Sequence, residues 1–192
     1  MYQFCISGAA KGKSVDEGKV LARAAGVAIA KAHHMLMSGA TIGLPNYAAT
    51  AYKAAGGKMS LGLSPASSKI EHVMKYRLPT EAYDAIVYTG LHYIGRDTLL
   101  ILSSDAVVSV GGRLGTLHEF TIAMESGKPI GFLQGAGGIS LEIEQILDTA
   151  NSAGQEHLAP VVFSDDPEEL VHKLTKILDK QYKGYHDLYS SK

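Results

Sequence analysis

The chain contains 192 residues, of which 46% are hydrophobic and 19% charged, and it has a net charge of −1 and a single cysteine, Cys5. One cysteine excludes an internal disulfide framework and a cysteine-rich metal site, and the near-neutral charge argues against a surface for nucleic acids or anionic membranes. The N-terminus lacks a signal-peptide pattern, and no apolar run approaches the about 20 residues that span a bilayer. We therefore expect a cytoplasmic protein that binds neither a membrane nor a nucleic acid.

Short apolar runs alternate with longer helical patterns along the chain. The runs that predict strands are residues 2–7, 34–39, 58–64, 85–90, 105–110, 129–134 and 160–164. The patterns that predict helices are residues 15–32, 45–56, 67–76, 94–103, 116–127, 139–152 and 167–182. Most of the strands are apolar on both faces, which is typical of parallel strands covered by helices on each side. The sequence thus predicts an α/β fold, a doubly wound Rossmann-like three-layer arrangement around a mainly parallel sheet of about seven strands.

The domain organisation is simple, because no repeat, low-complexity tract or linker interrupts the alternation. We predict one Rossmann-like nucleotide-binding domain over residues 1–184 and a C-terminal tail over residues 185–192. The tail follows Gly184, contains tyrosines and has no clear period. It is either a fraying end or a strap onto a second subunit.

Three of the loops that follow predicted strands are rich in glycine. They read SGAAKGKS after the first strand, SGATIGLPN after the second and GGRLGT after the fifth. Open parallel sheets bind ligands where such loops enter helices, and glycine lets the backbone N–H groups approach an anion. We therefore predict a site for a nucleotide or a sugar phosphate. Its binding residues are predicted to be Gly8, Ala9, Gly39, Ala40, Thr41, Gly43, Gly112, Arg113, Gly115 and Thr116.

Other kinds of site are disfavoured by the sequence. The stretch GAAKGKS nearly matches a P-loop, but Ser7 stands where that motif needs a glycine. No G-x-G-x-x-G opens a helix, which argues against a dinucleotide site. His33 and His34 are adjacent and point to different faces, and Cys5 lies within the first predicted strand, where a small buried thiol is the default. We predict neither a metal nor a resident cofactor.

Arg96 and Glu119 are the candidate catalytic residues. Each follows a predicted strand end at the ligand edge of the sheet. Glu119 stands three residues after Thr116, so it could instead form a capping box at its own helix start, and Arg96 could be a surface residue of an amphipathic helix. As a pair beside a phosphate site, however, a carboxylate and a guanidinium suit cleavage of an N-glycosidic bond, whose transition state has oxocarbenium character.

The stretch DAVVSVGGRLGTLHEFTIAMESGKPIGF resembles the signature region of the lonely-guy family of nucleoside 5′-monophosphate phosphoribohydrolases, which are often mislabelled lysine decarboxylases. It is equally similar to the molybdenum-cofactor carrier proteins and to the Rossmann-like domain of DNA-processing protein A. Gly112, Gly115, Thr116 and Glu119 match the family motif P-G-G-x-G-T-x-x-E. In the family the catalytic arginine lies 23 residues before the glutamate, the same separation as from Arg96 to Glu119.

The chain departs from the motif at two positions: Gly111 stands in place of the proline, and Arg113 replaces the second glycine. Arg113 could add a phosphate contact or fill the pocket. The resemblance implies hydrolysis of a nucleoside monophosphate to the free base and ribose 5-phosphate, with Arg96 and Glu119 in the catalytic roles. The alternative is a non-catalytic carrier or sensor of a nucleotide or of a pterin phosphate such as molybdenum cofactor. The resemblance further implies a homodimer or a higher homo-oligomer.

Overall fold

The computed structural model of the chain describes residues 1–154 and 159–185. These residues contain seven strands: β1 (Gln3–Gly8), β2 (Met35–Ser38), β3 (Ser60–Ser64), β4 (Ala85–Tyr88), β5 (Ala106–Val110), β6 (Ile130–Leu133) and β7 (Val161–Ser164). The same described ranges contain six α-helices: α1 (Lys13–Lys31), α2 (Leu44–Ala54), α3 (His92–Ser103), α4 (Leu114–Glu125), α5 (Ile143–Ser152) and α6 (Pro167–Gln181).

All seven strands form one parallel sheet in the order β4-β3-β2-β1-β5-β6-β7. Helices α1, α2 and α6 cover one face, and α3, α4 and α5 cover the other. The predicted three-layer, doubly wound α/β fold is therefore confirmed. The central strands β1, β2, β5 and β6 each place buried apolar side chains in both hydrophobic layers.

Two predicted helices differ from the structure. The pattern at residues 67–76 yields only a short helical turn, with a π-helix at Glu71–Lys75, and the pattern at residues 139–152 is divided into a 3₁₀ turn (Gly138–Leu141) and α5. Most of the predicted tail, residues 186–192, lies outside the described residues. None of the described helices is both long enough and apolar enough to traverse a bilayer.

The order of the strands determines where a crevice for a ligand forms at the carboxyl edge of the sheet. The chain builds β1 to β4 outward in one direction and then returns to lay β5 against the other side of β1, where Gly8 pairs with Val110. The loops that leave β1 and β5 therefore diverge to opposite faces of the sheet. A crevice forms between them, which is the usual ligand position in open α/β sheets.

Helices α1 and α2 pack very closely on their shared face of the sheet. Gly26 of α1 lies so near the backbone of α2 that a Cβ atom there would be 2.0 Å from the carbonyl oxygen of Ala48. Alanine side chains surround this contact, including Ala22 and Ala49, which are fully buried. Small residues thus allow α2 to sit tightly against α1, which fixes the start of α2 beside the crevice.

Gly26→Ala is expected to lower the free energy of unfolding by about 3 kcal/mol, because the added methyl group meets backbone atoms that cannot rotate away. Urea denaturation measures this change. Gly115→Ala in α4 is the matched control, since its Cβ would meet no atom within 4 Å. Equal effects of the two substitutions would contradict the close packing of α1 and α2.

Candidate functional site

A cleft of about 530 Å³ opens at the carboxyl edge of the sheet. Its walls come from the loops after β1, β2 and β5, from the first turns of α3 and α4, and from residues 76–78 in the long connection between β3 and β4. Elements distant in sequence thus meet at one point. This volume lies within the range that is usual for small-molecule sites.

The structure brings most of the predicted site residues together in this cleft. Its lining includes both candidate catalytic residues and seven of the predicted binding residues: Arg96, Glu119, Gly8, Ala9, Gly39, Thr41, Arg113, Gly115 and Thr116. The other predicted binding residues, Ala40, Gly43 and Gly112, do not line it.

Packing explains the positions of these three residues. Ala40 is fully buried, and a Cβ atom on Gly43 would lie 2.4 Å from the carbonyl oxygen of Ala9. Gly112 adopts φ +116°, and a Cβ atom there would lie 2.3 Å from the Thr116 hydroxyl oxygen. These residues therefore let the loops pack on one another behind the cleft, and their contact with a ligand stays a prediction.

Glu119 points into the fold and does not cap its own helix. Helix α4 begins at Leu114 with Arg113 as its N-cap residue, and no side chain of the described residues caps it. Glu119 is 8% exposed and accepts a hydrogen bond from the hydroxyl of Ser7 on β1. The capping-box alternative is therefore wrong.

Burial is the main reason why the pKa of Glu119 rises to about 7. The nearby charge of Asp97 raises the pKa further, whereas the Arg96 guanidinium and the Ser7 hydroxyl oppose the shift. A carboxyl group with this pKa exists in both protonation states near neutral pH. It can therefore take up or release a proton during a reaction.

Arg96 is buried despite its charge, with only 4% of its surface exposed. One terminal nitrogen, Nη2, lies 3.2 Å from Oδ1 of Asp97. Among the described residues, no group accepts a hydrogen bond from Nε or Nη1. Buried donors of this kind normally have partners, so the guanidinium has hydrogen-bonding capacity to offer a ligand.

Gly39 makes the position of this guanidinium possible. A Cβ atom on Gly39 would lie 1.5 Å from Nη1 and 2.4 Å from Cζ of Arg96. The arginine side chain, which comes from α3, therefore lies directly against the backbone that follows β2. The glycine of the second loop is required here for a side chain rather than for a ligand.

The lining of the cleft is predominantly cationic, although the whole chain has a net charge of −1. It carries two carboxylates and four cationic groups: Asp97, Glu119, Lys11, Arg77, Arg96 and Arg113. Burial raises the pKa of Asp97, and the charge of Arg96 opposes this rise. Such a surface favours an anionic ligand.

The loop that leads into α1 and the start of α4 meet at one end of the cleft. Neither start has a side-chain cap among the described residues, so backbone N–H groups of the first turns remain available for an anion. Arg113 spans the gap between the two loops, because its Nη1 donates to the carbonyl oxygen of Lys11 at 3.3 Å. This end of the cleft has the features of a phosphate site.

Several residues at the cleft escape sequence reasoning. Ser7 and Asp97 are adjacent in sequence to predicted site residues, and Lys11 stands within a predicted loop, so proximity in sequence was the available signal. Residues 76–78 lie in no motif at all. Within residues 1–154 and 159–185, no group of three or more His, Cys, Asp or Glu side chains is arranged to hold a metal ion.

Comparison with known proteins places this cleft in a family context. The sequence profile of the SLOG cluster4 family, LDcluster4, matches residues 1–171. An uncharacterized protein of Archaeoglobus fulgidus is 28% identical over 123 residues, which make up 64% of this chain and 75% of that protein. The profile match confirms the superfamily resemblance of the signature region.

Two solved structures share the fold. TM1055 aligns with a TM-score of 0.75 at 24% identity, over 92% of this chain and 99% of its own. The Moco carrier protein from Chlamydomonas reinhardtii aligns with a TM-score of 0.73 at 24% identity, over 93% of this chain and 98% of its own. At these identities the similarity establishes the shared architecture.

Glu119→Gln is expected to stabilise the fold at neutral pH. The folded chain holds the Glu119 proton up to about pH 7, whereas the unfolded chain releases it near pH 4.5, so ionisation of this buried group costs stability as the pH rises through that window. The gain of the variant over the parent should therefore grow between about pH 4.5 and pH 7 and stay constant on either side.

Urea denaturation at a series of pH values measures this gain. Glu125→Gln, at an exposed position of the same helix, controls for removal of a carboxylate. A gain in stability that does not depend on pH, or one that both variants share, would show that burial does not raise the pKa of Glu119.

Proposed function

The chain belongs to the SLOG cluster4 family, and on this premise we propose that it hydrolyses the N-glycosidic bond of a nucleoside 5′-monophosphate to the free base and ribose 5-phosphate. One observation carries the proposal: Arg96 of α3 and Glu119 of α4 are buried at the same cleft. Arg96 pairs with Asp97 and Glu119 accepts a hydrogen bond from Ser7, but two nitrogens of Arg96 have no acceptor among the described residues. The cationic end of the cleft adds a place for the 5′-phosphate.

The phosphate is proposed to bind at the starts of α1 and α4. The uncapped N–H groups of these helices carry a partial positive charge, and Lys11 and Arg113 add two full charges. The exposed Gly115 leaves open space at this end, since its Cβ would meet no atom within 4 Å. In this arrangement Arg113, which replaces a motif glycine, becomes a phosphate ligand.

Glu119 is proposed to act at the ribose carbon C1′. As the bond from C1′ to the base breaks, its electron pair leaves with the base and positive charge develops on the ribose, which the Glu119 carboxylate stabilises. Water then adds to C1′, and the proton that it loses ends on the departing base. Ser7 positions the carboxylate through its hydrogen bond, and the free donors of Arg96 hold a ribose hydroxyl or the base.

A carrier of a phosphorylated pterin is the second candidate. It is supported by the similarity in fold to the Moco carrier protein, which this chain matches over nearly its whole length. The carrier is also favoured by Arg113, which replaces the second glycine of the family motif. A cation that narrows the phosphate end of the cleft would retain a bound ligand rather than release a product. In this case Arg96 and Glu119 bind the ligand without turnover.

A homodimer forms part of the proposal. Helix α3 exposes several large apolar side chains, among them Ile94, Leu99 and Leu102. Exposed apolar surface of this kind is typical of a protein contact. A second copy packed on α3 would cover these side chains and approach the mouth of the cleft.

The hydrolase is tested by incubating the purified chain with a panel of nucleoside monophosphates and measuring the release of base and ribose 5-phosphate. The parent chain is expected to release both products from at least one monophosphate. Glu119→Gln and Arg96→Gln should each lower the rate by about 10²- to 10³-fold, because each removes charge that acts on the transition state.

Glu125→Gln is the control and should retain the parent rate, since Glu125 lies outside the cleft. Absence of product from every monophosphate, combined with thermal stabilisation by a nucleotide or a pterin phosphate, would replace the hydrolase with the carrier.

Gly39→Ala is expected to lower the rate of base release as much as Arg96→Ala does, because the new methyl group displaces the guanidinium. The three atoms nearest to that methyl group all belong to Arg96. The double variant should therefore be no slower than Arg96→Ala alone, which a double-mutant cycle of the rates measures. Additive losses would mean that Gly39 acts on the ligand independently of Arg96.

A further inference from the structure

We propose that Tyr76, Leu78 and Tyr93, here called the ring wall, bind the planar heterocycle of the phosphorylated ligand. This inference rests on the proposed function in one respect, namely that the ligand carries a phosphate and a planar ring. The ring wall lines the cleft together with Arg96 and Glu119. It supplies two phenol rings and an aliphatic side chain, and Tyr76 and Tyr93 are the aromatic side chains among the described lining residues.

The two tyrosines approach each other across the mouth of the cleft. Their ring centroids are 5.7 Å apart and the ring planes are inclined at 74°, so that they form an edge-to-face pair. Tyr93 remains 46% exposed. Exposed aromatic surface beside a cleft suits a planar heterocycle, because stacking removes apolar area from water on both partners.

The ring wall is held in place from both sides. The Tyr76 hydroxyl lies 2.8 Å from Nδ1 of His92. This hydrogen bond joins the segment between β3 and β4 to the start of α3. Leu78 is anchored by its N–H group, which donates to the carbonyl oxygen of the fully buried His72. A fixed wall binds a ring at a lower entropic cost than a mobile loop does.

The backbone of the same region is strained. Arg77 and His92 adopt φ values of +58° and +54°, in the left-handed region that non-glycine residues seldom occupy. They flank the two tyrosines in sequence, one in each segment. Strain of this kind persists where the surroundings enforce it and is concentrated at functional sites. Here it brings the two phenol rings together at the cleft.

The position of the ring wall also agrees with the proposed chemistry. Tyr93 stands three residues before Arg96 on α3, so both side chains lie on one face of that helix. The ring wall therefore adjoins Arg96, while the starts of α1 and α4 define the phosphate end. A nucleotide bound between them would have its ribose at Arg96 and Glu119. The donor groups of Arg77 can in addition reach acceptor atoms at the ring edge.

The test compares the binding of a nucleoside monophosphate with that of ribose 5-phosphate, which lacks the ring. Affinities are measured by isothermal titration calorimetry in a Glu119→Gln background, so that the nucleotide is not consumed. AMP, GMP, CMP and UMP are titrated first, and the one that binds most tightly is used as the monophosphate in the comparison. Tyr93→Ala is expected to weaken its binding by about tenfold and to leave ribose 5-phosphate unaffected.

Two further variants separate stacking from general damage. Tyr93→Phe keeps the ring and should retain the affinity for the monophosphate. Tyr185→Ala removes a tyrosine that is 54% exposed and lies outside the cleft, and it should change neither affinity. Unchanged binding of ribose 5-phosphate shows that Tyr93→Ala folds.

The outcomes distinguish this proposal from the hydrolase. If Tyr93→Ala weakens both ligands equally or weakens neither, the ring wall is wrong, whereas release of base by the parent chain still establishes the hydrolase. If the parent releases no base but Tyr93→Ala selectively weakens the monophosphate, the ring wall is correct and the hydrolase is wrong. If a parent that releases no base also binds neither ligand, both proposals are wrong.

Discussion

The arrangement of the carboxyl edge depends on the burial of one arginine beside two acidic side chains. Arg96, Asp97 and Glu119 are each less than a tenth exposed, and transferring charged groups out of water is costly unless they are compensated. The compensation here is incomplete. Asp97 engages one nitrogen of the guanidinium, and two others have no acceptor among the described residues. Two donor groups of the buried guanidinium are therefore open to the acceptor atoms of a ligand.

Glycine is central to the same arrangement in two distinct ways. Gly39 provides the space for the Arg96 guanidinium, and Gly8 allows β1 to approach the carbonyl oxygen of Val110, which a Cβ atom would meet at 2.8 Å. Gly115, by contrast, faces open space in the cleft. A glycine-rich loop therefore combines residues required by packing with residues required by ligand space. Sequence alone does not separate the two, so it does not distinguish Gly43 and Gly112 from Gly115.

The fold was predictable because its strands are apolar on both faces and alternate with helical periods, which are local signals. The pattern at residues 67–76 was misleading, since the segment contains the buried His72, whose bonds to Ser64 and the Pro79 carbonyl oxygen replace a regular helix. The convergence of Arg96 and Glu119 was suggested by their places after strand ends. The ring wall was not predictable, because it depends on how the β3–β4 connection folds back toward α3.

Hydrolase and carrier differ in what Glu119 does once a ligand is bound. A phosphate group in the cleft adds negative charge and favours the protonated carboxyl, as Asp97 already does. Positive charge developing on a ribose has the opposite effect and favours the carboxylate. If the ligand has a glycosidic bond at this point, the Glu119 carboxylate interacts more strongly with the positive charge of the transition state than with the neutral ribose of the ground state, so its stabilisation is concentrated in the transition state. If the ligand has no such bond, the same carboxyl stays protonated and serves as a hydrogen-bonding group. The position of the labile bond relative to Glu119, rather than the fold, therefore decides between turnover and storage.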